Sequence, residues 1–179
     1  MDRIKNAYLI IVFIPLVLFS QSAEAEDPWQ TFRYFMGKWQ GSETSPSGDG
    51  QCEKEYRMIL NNQYLYVSSR TVFPPQEKNP DGEIHEHWTL YSYDKNRKSY
   101  IARQYNSEGF ITVLALSAES ANTDTLIFHS EKLENLPEGF KARLTIIKTN
   151  QNEFKEIFEI APPNQDYTQF STNVWKRVS

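Results

Sequence analysis

The chain has 179 residues, of which 39% are hydrophobic and 14% aromatic, with a formal net charge of −4 at pH 7 and one cysteine. Mild acidity excludes a dedicated nucleic-acid binder, whose phosphate partners call for a basic face, and the length suits one domain. A single cysteine excludes an internal disulfide, so Cys52 is expected to be a strand residue that is half buried rather than a reactive thiol.

Residues 1–25 read as a targeting segment. Arg3 and Lys5 give a basic start, and 7–19 is an apolar run interrupted by Pro15. That run is shorter than the roughly 20 residues of a comfortable membrane span. Ala23-Glu24-Ala25 then has the small-x-small pattern of a signal-peptidase site. The expectation is a signal peptide removed after Ala25, leaving a single domain over 26–179, secreted or periplasmic, with no stable membrane anchor.

A short helix opens the remainder. Asp27 suits a cap, Pro28 suits the first helical position, and Trp29, Phe32, Phe35 and Met36 fall at helical spacing before Gly37. From there the apolar period changes to two. Segments 38–45, 51–60, 63–73, 83–93, 98–105, 110–118, 125–131, 140–149, 153–160 and 167–177 are predicted strands. Hairpin-sized separators join most of them, including 47–50, 61–62, 94–97, 107–109, 137–139 and 150–152. No helical crossover interrupts the series, which excludes a parallel α/β sheet.

Alternation gives each strand one oily face. Phe140, Ala142, Leu144 and Ile146 form one stripe, Phe154, Phe158 and Ile160 a second, and Phe110, Thr112, Leu114 and Leu116 a third. An antiparallel meander with one oily face can close on itself, which removes its edges and encloses the stripes. The predicted fold is therefore all-β, an up-and-down antiparallel barrel of about ten strands with the short helix closing one end. Barrels of this size have room for a small ligand.

Phe35-Met36-Gly37-Lys38-Trp39-Gln40-Gly41, the aromatic helix before it, the meander and the closing Val174-Trp175-Lys176-Arg177 resemble the calycin superfamily. Within it, the chain looks like the lipocalin-like secreted bacterial proteins of uncharacterised function, related in layout to nitrobindin-type barrels. The resemblance implies that Gly37 and Trp39 belong to a structural closure, with Arg177 or Lys176 lying across the indole. It also implies a haem held by a proximal His near the chain end. No His follows His129, so haem, or any other cofactor, is not expected.

Three sets of side chains offer chemistry. His85 and His87 share one strand face with Thr89, Tyr91 and Tyr93, the spacing two imidazoles need to share a metal, but a third ligand is lacking and a metal is not expected. If Ile84, Trp88 and Leu90 line the inside, both imidazoles point outward. Arginines and tyrosines on strands could fix a carboxylate head group inside an apolar cup, and Arg103, Tyr105, Arg57, Tyr91 and Trp88 are the candidate ligand contacts. No nucleophile elbow, phosphate loop or oriented Cys–His pair is present, so no catalytic residue is assigned and an enzyme is disfavoured.

The function expected from the sequence is binding of a small hydrophobic or amphipathic molecule in the barrel. The rivals are a filled barrel acting through its surface, as a homodimer in one form, and a metal- or haem-dependent enzyme.

Overall fold

The computed structural model describes residues 27–120 and 124–178. The signal-peptide assignment to 1–25 lies outside them. A six-residue 3-10 helix, Gln30–Phe35, precedes ten strands: β1 (Gly37–Ser45), β2 (Gly48–Ile59), β3 (Tyr64–Phe73), β4 (Glu83–Asp94), β5 (Ser99–Asn106), β6 (Ile111–Leu116), β7 (Thr125–Glu134), β8 (Lys141–Asn150), β9 (Glu153–Ala161) and β10 (Thr168–Arg177). Each pairs antiparallel with its neighbours in sequence, and β1 pairs with β10 to close the barrel. Among the described residues no helix is long and apolar enough to cross a membrane.

The strands fall where expected to within three residues at either end, and the largest differences, at β2 and β7, have local causes. Gly48 and Gly50, read as turn residues, belong to β2, because Pro46 and Ser47 suffice to join Ser45 to its partner Gly48. β7 runs on to Glu134 across a register shift opposite Val113 and Leu114, where one strand carries an extra residue. The helix begins later than the capping pattern suggests. Asp27 instead accepts the backbone N–H of Trp29 at 3.0 Å and fixes the turn that leads into it.

Alternation decides the interior. Even-numbered residues of β2, β5, β6, β8 and β9 point inward, as do odd-numbered residues of β1, β3, β4 and most of β10. The half of the barrel nearest the 3-10 helix is filled by rings. Phe35 packs edge-on against Phe154 at 5.1 Å, Trp39 meets Phe154 at 4.6 Å, and Phe32 meets Tyr100 at 4.8 Å and Tyr91 at 5.0 Å. Burial of each such ring stabilises the fold by roughly 1.5–3 kcal/mol before entropy is counted.

The seam between β1 and β10 depends on a close approach. Gly37 takes φ +101°, a value open to glycine, as the chain leaves the helix for β1. At Gly41, a Cβ would stand 2.1 Å from the carbonyl oxygen of Val174 and 3.1 Å from the Trp175 indole. The second glycine of the Gly37–Gly41 motif is thus a requirement of the closing seam. Beside it, Trp39 donates from Nε1 to the Phe35 carbonyl at 2.7 Å. Arg177 covers the indole with its guanidinium 4.2 Å from the ring centre and donates to the carbonyls of Met36 and Tyr34 at 2.9 and 2.5 Å. Lys176, the other cation considered for this place, points outward.

A polar cavity in the far half of the barrel

The half of the barrel away from the helix encloses a cavity of about 200 Å³. It reaches the surface between Glu108 and Phe170, both partly exposed. A bulge between Gln169 and Ser171 puts Phe170 at this mouth, edge-on to Phe158 at 6.4 Å. Val67, Leu144, Phe158 and Trp175 form its apolar walls.

An ion pair forms the base. Lys54 and Glu156 are buried, about 7% and 6% exposed, and the Lys54 ammonium bonds to Glu156 Oε2. Trp175 donates its indole N–H to the same oxygen at 2.8 Å, and the Tyr56 hydroxyl donates to Oε1 at 3.2 Å. Lys54 also lies 4.4 Å from the centre of the Trp175 ring. A buried charge is tolerated when it is paired and hydrogen-bonded, and both conditions are met here. Burial, with the Glu156 carboxylate next to it, pushes the Tyr56 phenol well above its ordinary range.

Above the base stand His87, Tyr91 and Gln104. Burial, followed by the charges of Lys54 and His85, lowers His87 to about 3, so the imidazole is neutral at physiological pH. Burial first and Glu156 second raise the Tyr91 phenol, which therefore stays protonated. Neither the His87 ring nitrogens nor the Tyr91 hydroxyl has a hydrogen-bond partner among the described residues, although both side chains line the cavity. Nearer the mouth, Glu43 accepts from Thr71 at 2.8 Å and from Asn173 at 3.0 Å. His85 sits between Glu83 at 3.1 Å and Glu108 at 3.6 Å. Cys52 lies behind this wall. Burial raises its thiol to about 11 against the opposing effect of the Asn173 amide, 3.7 Å from its sulfur.

These positions correct the sequence-based assignment of faces. Of the candidate ligand contacts, only Tyr91 reaches the cavity. Trp88 is 60% exposed and Tyr105 43%, paired across β4 and β5 on the outer wall. Arg57 lies over the Tyr66 ring at 4.6 Å, and Arg103 donates to Ser92 at 3.1 Å, both outside. β4 carries large apolar side chains on both faces, so alternation alone cannot orient it. With Trp88 outside, His85 and His87 point inward. The residues missed by sequence reasoning are Lys54 and Glu156, and parity held the signal for both: Lys54 alternates with buried Cys52 and Tyr56, and Glu156 stands between Phe154 and Phe158.

The residues present do not fit a haem or a metal. Strands β8, β9 and β10 carry no His. His129 is on the outer wall, 3.3 Å from Glu119 and beside Tyr167. The cavity is smaller than the roughly 300–1,000 Å³ of typical ligand sites. His85 is engaged by two carboxylates, and among the described residues no group of three or more His, Cys, Asp or Glu side chains is arranged to hold an ion.

No family model matches the chain, and no curated protein does. Among solved structures, the crystal structure of Rv2717c from M. tuberculosis is similar with a TM-score of 0.59 at 11% identity, covering 87% of this chain and 100% of that one. A redesigned beta barrel is similar at a TM-score of 0.39 and 12% identity, over 82% of this chain and 93% of the other. EF1p2_mFAP2b bound to DFHBI is similar at 0.37 and 13%, over 85% and 100%. At such identities the first of these likenesses shows the fold alone, a closed ten-stranded antiparallel barrel here, and the looser two carry no argument.

Proposed function

We propose that the protein binds a small molecule with an apolar body and a hydrogen-bonding head in the far half of its barrel, and that it does so outside the cytoplasm once residues 1–25 are removed. One observation carries the binding reading. The cavity has apolar walls, yet it presents a neutral imidazole and a phenol, His87 and Tyr91, whose polar atoms have no partner among the described residues. These polar atoms open onto the cavity instead of being sealed in the core, so an incoming head group can reach and pair with them.

Size narrows the class. A cavity of 150 Å³ is enough for benzene, so about 200 Å³ suits a molecule of one ring with a short polar substituent. The filled-barrel alternative accounts for the ring-packed half beside the helix but not for the hollow half.

Ligand-observed NMR with single-ring compounds carrying hydroxyl, amide, amine or carboxylate groups tests this. The expected result is at least one compound bound with a Kd of about 10–100 μM and displaced by Leu144→Trp, which fills the cavity. No binding below the millimolar range, or binding indifferent to Leu144→Trp, would refute the site. For the location, the mass of protein recovered from a secreting host should correspond to a chain starting at Glu26.

A further inference from the structure

Charge in the cavity is unbalanced. Glu43, Glu86, Glu108 and Glu156 line it, Glu86 being paired with Arg70 at 3.2 Å, and Glu83 joins them at the mouth through His85. The facing cations are Lys54 and His85, and both are committed, Lys54 to Glu156 and His85 to Glu83 and Glu108. Counting His85 as a cation and setting Arg70 against Glu86, carboxylates outnumber cations by two. His87 adds no charge. Glu43 is the uncovered carboxylate: the groups that reach it are the Thr71 hydroxyl and the Asn173 amide, both neutral, and among the described residues no Lys, Arg or His pairs with it.

Two independent features show that this negative field faces a binding site rather than bulk solvent. Tyr91 is 3% exposed and turns its unpartnered hydroxyl toward the lumen. Aromatic rings of Phe110, Phe158, Phe170 and Trp175 line the same space, and their faces attract cations. A concave site of one charge sign focuses its potential on whatever enters. An anionic ligand would meet Glu43 and Glu108 without a free cation, because Arg57 and Arg103 are on the outer wall.

We propose that the ligand is a small organic cation, a protonated amine on a body of about one ring, with its ammonium beside Glu43 and its ring among the aromatic walls. This rests on the binding reading above and specifies its head group.

Calorimetric titration of the protein at neutral pH and low salt with benzylamine, benzyl alcohol and benzoate compares one ring with three charge states. Benzylamine should bind about tenfold more tightly than benzyl alcohol, and benzoate should give no binding heat. Glu43→Gln keeps an acceptor for Thr71 and Asn173 while removing the charge, and it should reduce the preference to about threefold or less. Added salt should narrow the preference in the wild type. If benzyl alcohol or benzoate binds as tightly as benzylamine, the cavity remains a binding site and the amine assignment is overturned. If none of the three binds, and no compound of the wider panel does, the binding reading falls and the amine assignment with it. Should Glu43→Gln fail to fold, the wild-type ratio decides by itself.

Discussion

Replacing Lys54 with Met tests the buried base of the cavity. Met matches the volume of the lysine stem, so the perturbation is the loss of the ammonium beside Glu156. Breaking a buried ion pair by removing one partner costs about 3–5 kcal/mol, since the other charge stays in the interior. Glu156 would retain the Trp175 N–H at 2.8 Å and the Tyr56 hydroxyl at 3.2 Å, which places the expected loss near the low end. Loss of the cation over the Trp175 ring adds up to about 1 kcal/mol. The sum is about 3–4 kcal/mol, and with a denaturant slope of about 2 kcal/mol per molar it moves the urea midpoint down by about 1.5–2 M. Equilibrium urea unfolding followed by tryptophan fluorescence reads it directly. The double variant Lys54→Met/Glu156→Gln removes both charges and leaves an amide oxygen for Trp175, so it should recover about 2 kcal/mol. A single-variant loss under about 1 kcal/mol, or a double variant no more stable than the single one, would refute the account of a paired and mutually required charge.

Three further outcomes follow from the same geometry. His87 is lowered from 6.5 to about 3 in the folded state, so the unfolded chain binds the extra proton and stability falls as pH drops below 6.5, until the folded form also protonates near 3. This should remove about 2 kcal/mol by roughly pH 5, and His87→Gln should flatten that part of a stability-against-pH curve measured by urea unfolding. Gly41→Ala would set a methyl 2.1 Å from the Val174 carbonyl oxygen, and the backbone cannot yield without opening the seam. A loss above about 3 kcal/mol is expected, with amide exchange accelerated first on β1 and β10. Cys52, buried and raised to about 11, should react with a disulfide reagent at mildly alkaline pH only at the rate of unfolding, and prompt labelling of the native protein would show the wall to be open.

The barrel could be read from the sequence because period-two alternation and hairpin-length separators are local properties, and antiparallel pairing of neighbours follows from them. The interior was harder to read. On β9 the stripe of Phe154 and Phe158 fixes the parity, and Glu156 is inside by position even though carboxylates on strands are usually solvated. On β4 the rule fails, because Trp88 and Leu90 compete with Tyr91 and Tyr93 for the core, and the choice is made by tertiary packing against Phe32 and Phe128. The pairing of Lys54 with Glu156 spans 102 residues and has no local trace. The outward placement of Arg57 and Arg103 could be seen only once their strand faces were known.

The strand register carries a consequence for how the molecule is made. The floor of the cup joins β1 to β10, so Trp39 has no lid and Glu156 no Trp175 until the final strand has emerged and docked. Nine strands can zip up hairpin by hairpin as they are synthesised, yet they would still present two raw edges to other chains. A chain cut short before Thr168 would therefore be an adhesive curved sheet, and the ten residues of β10 act as the latch that turns it into a vessel.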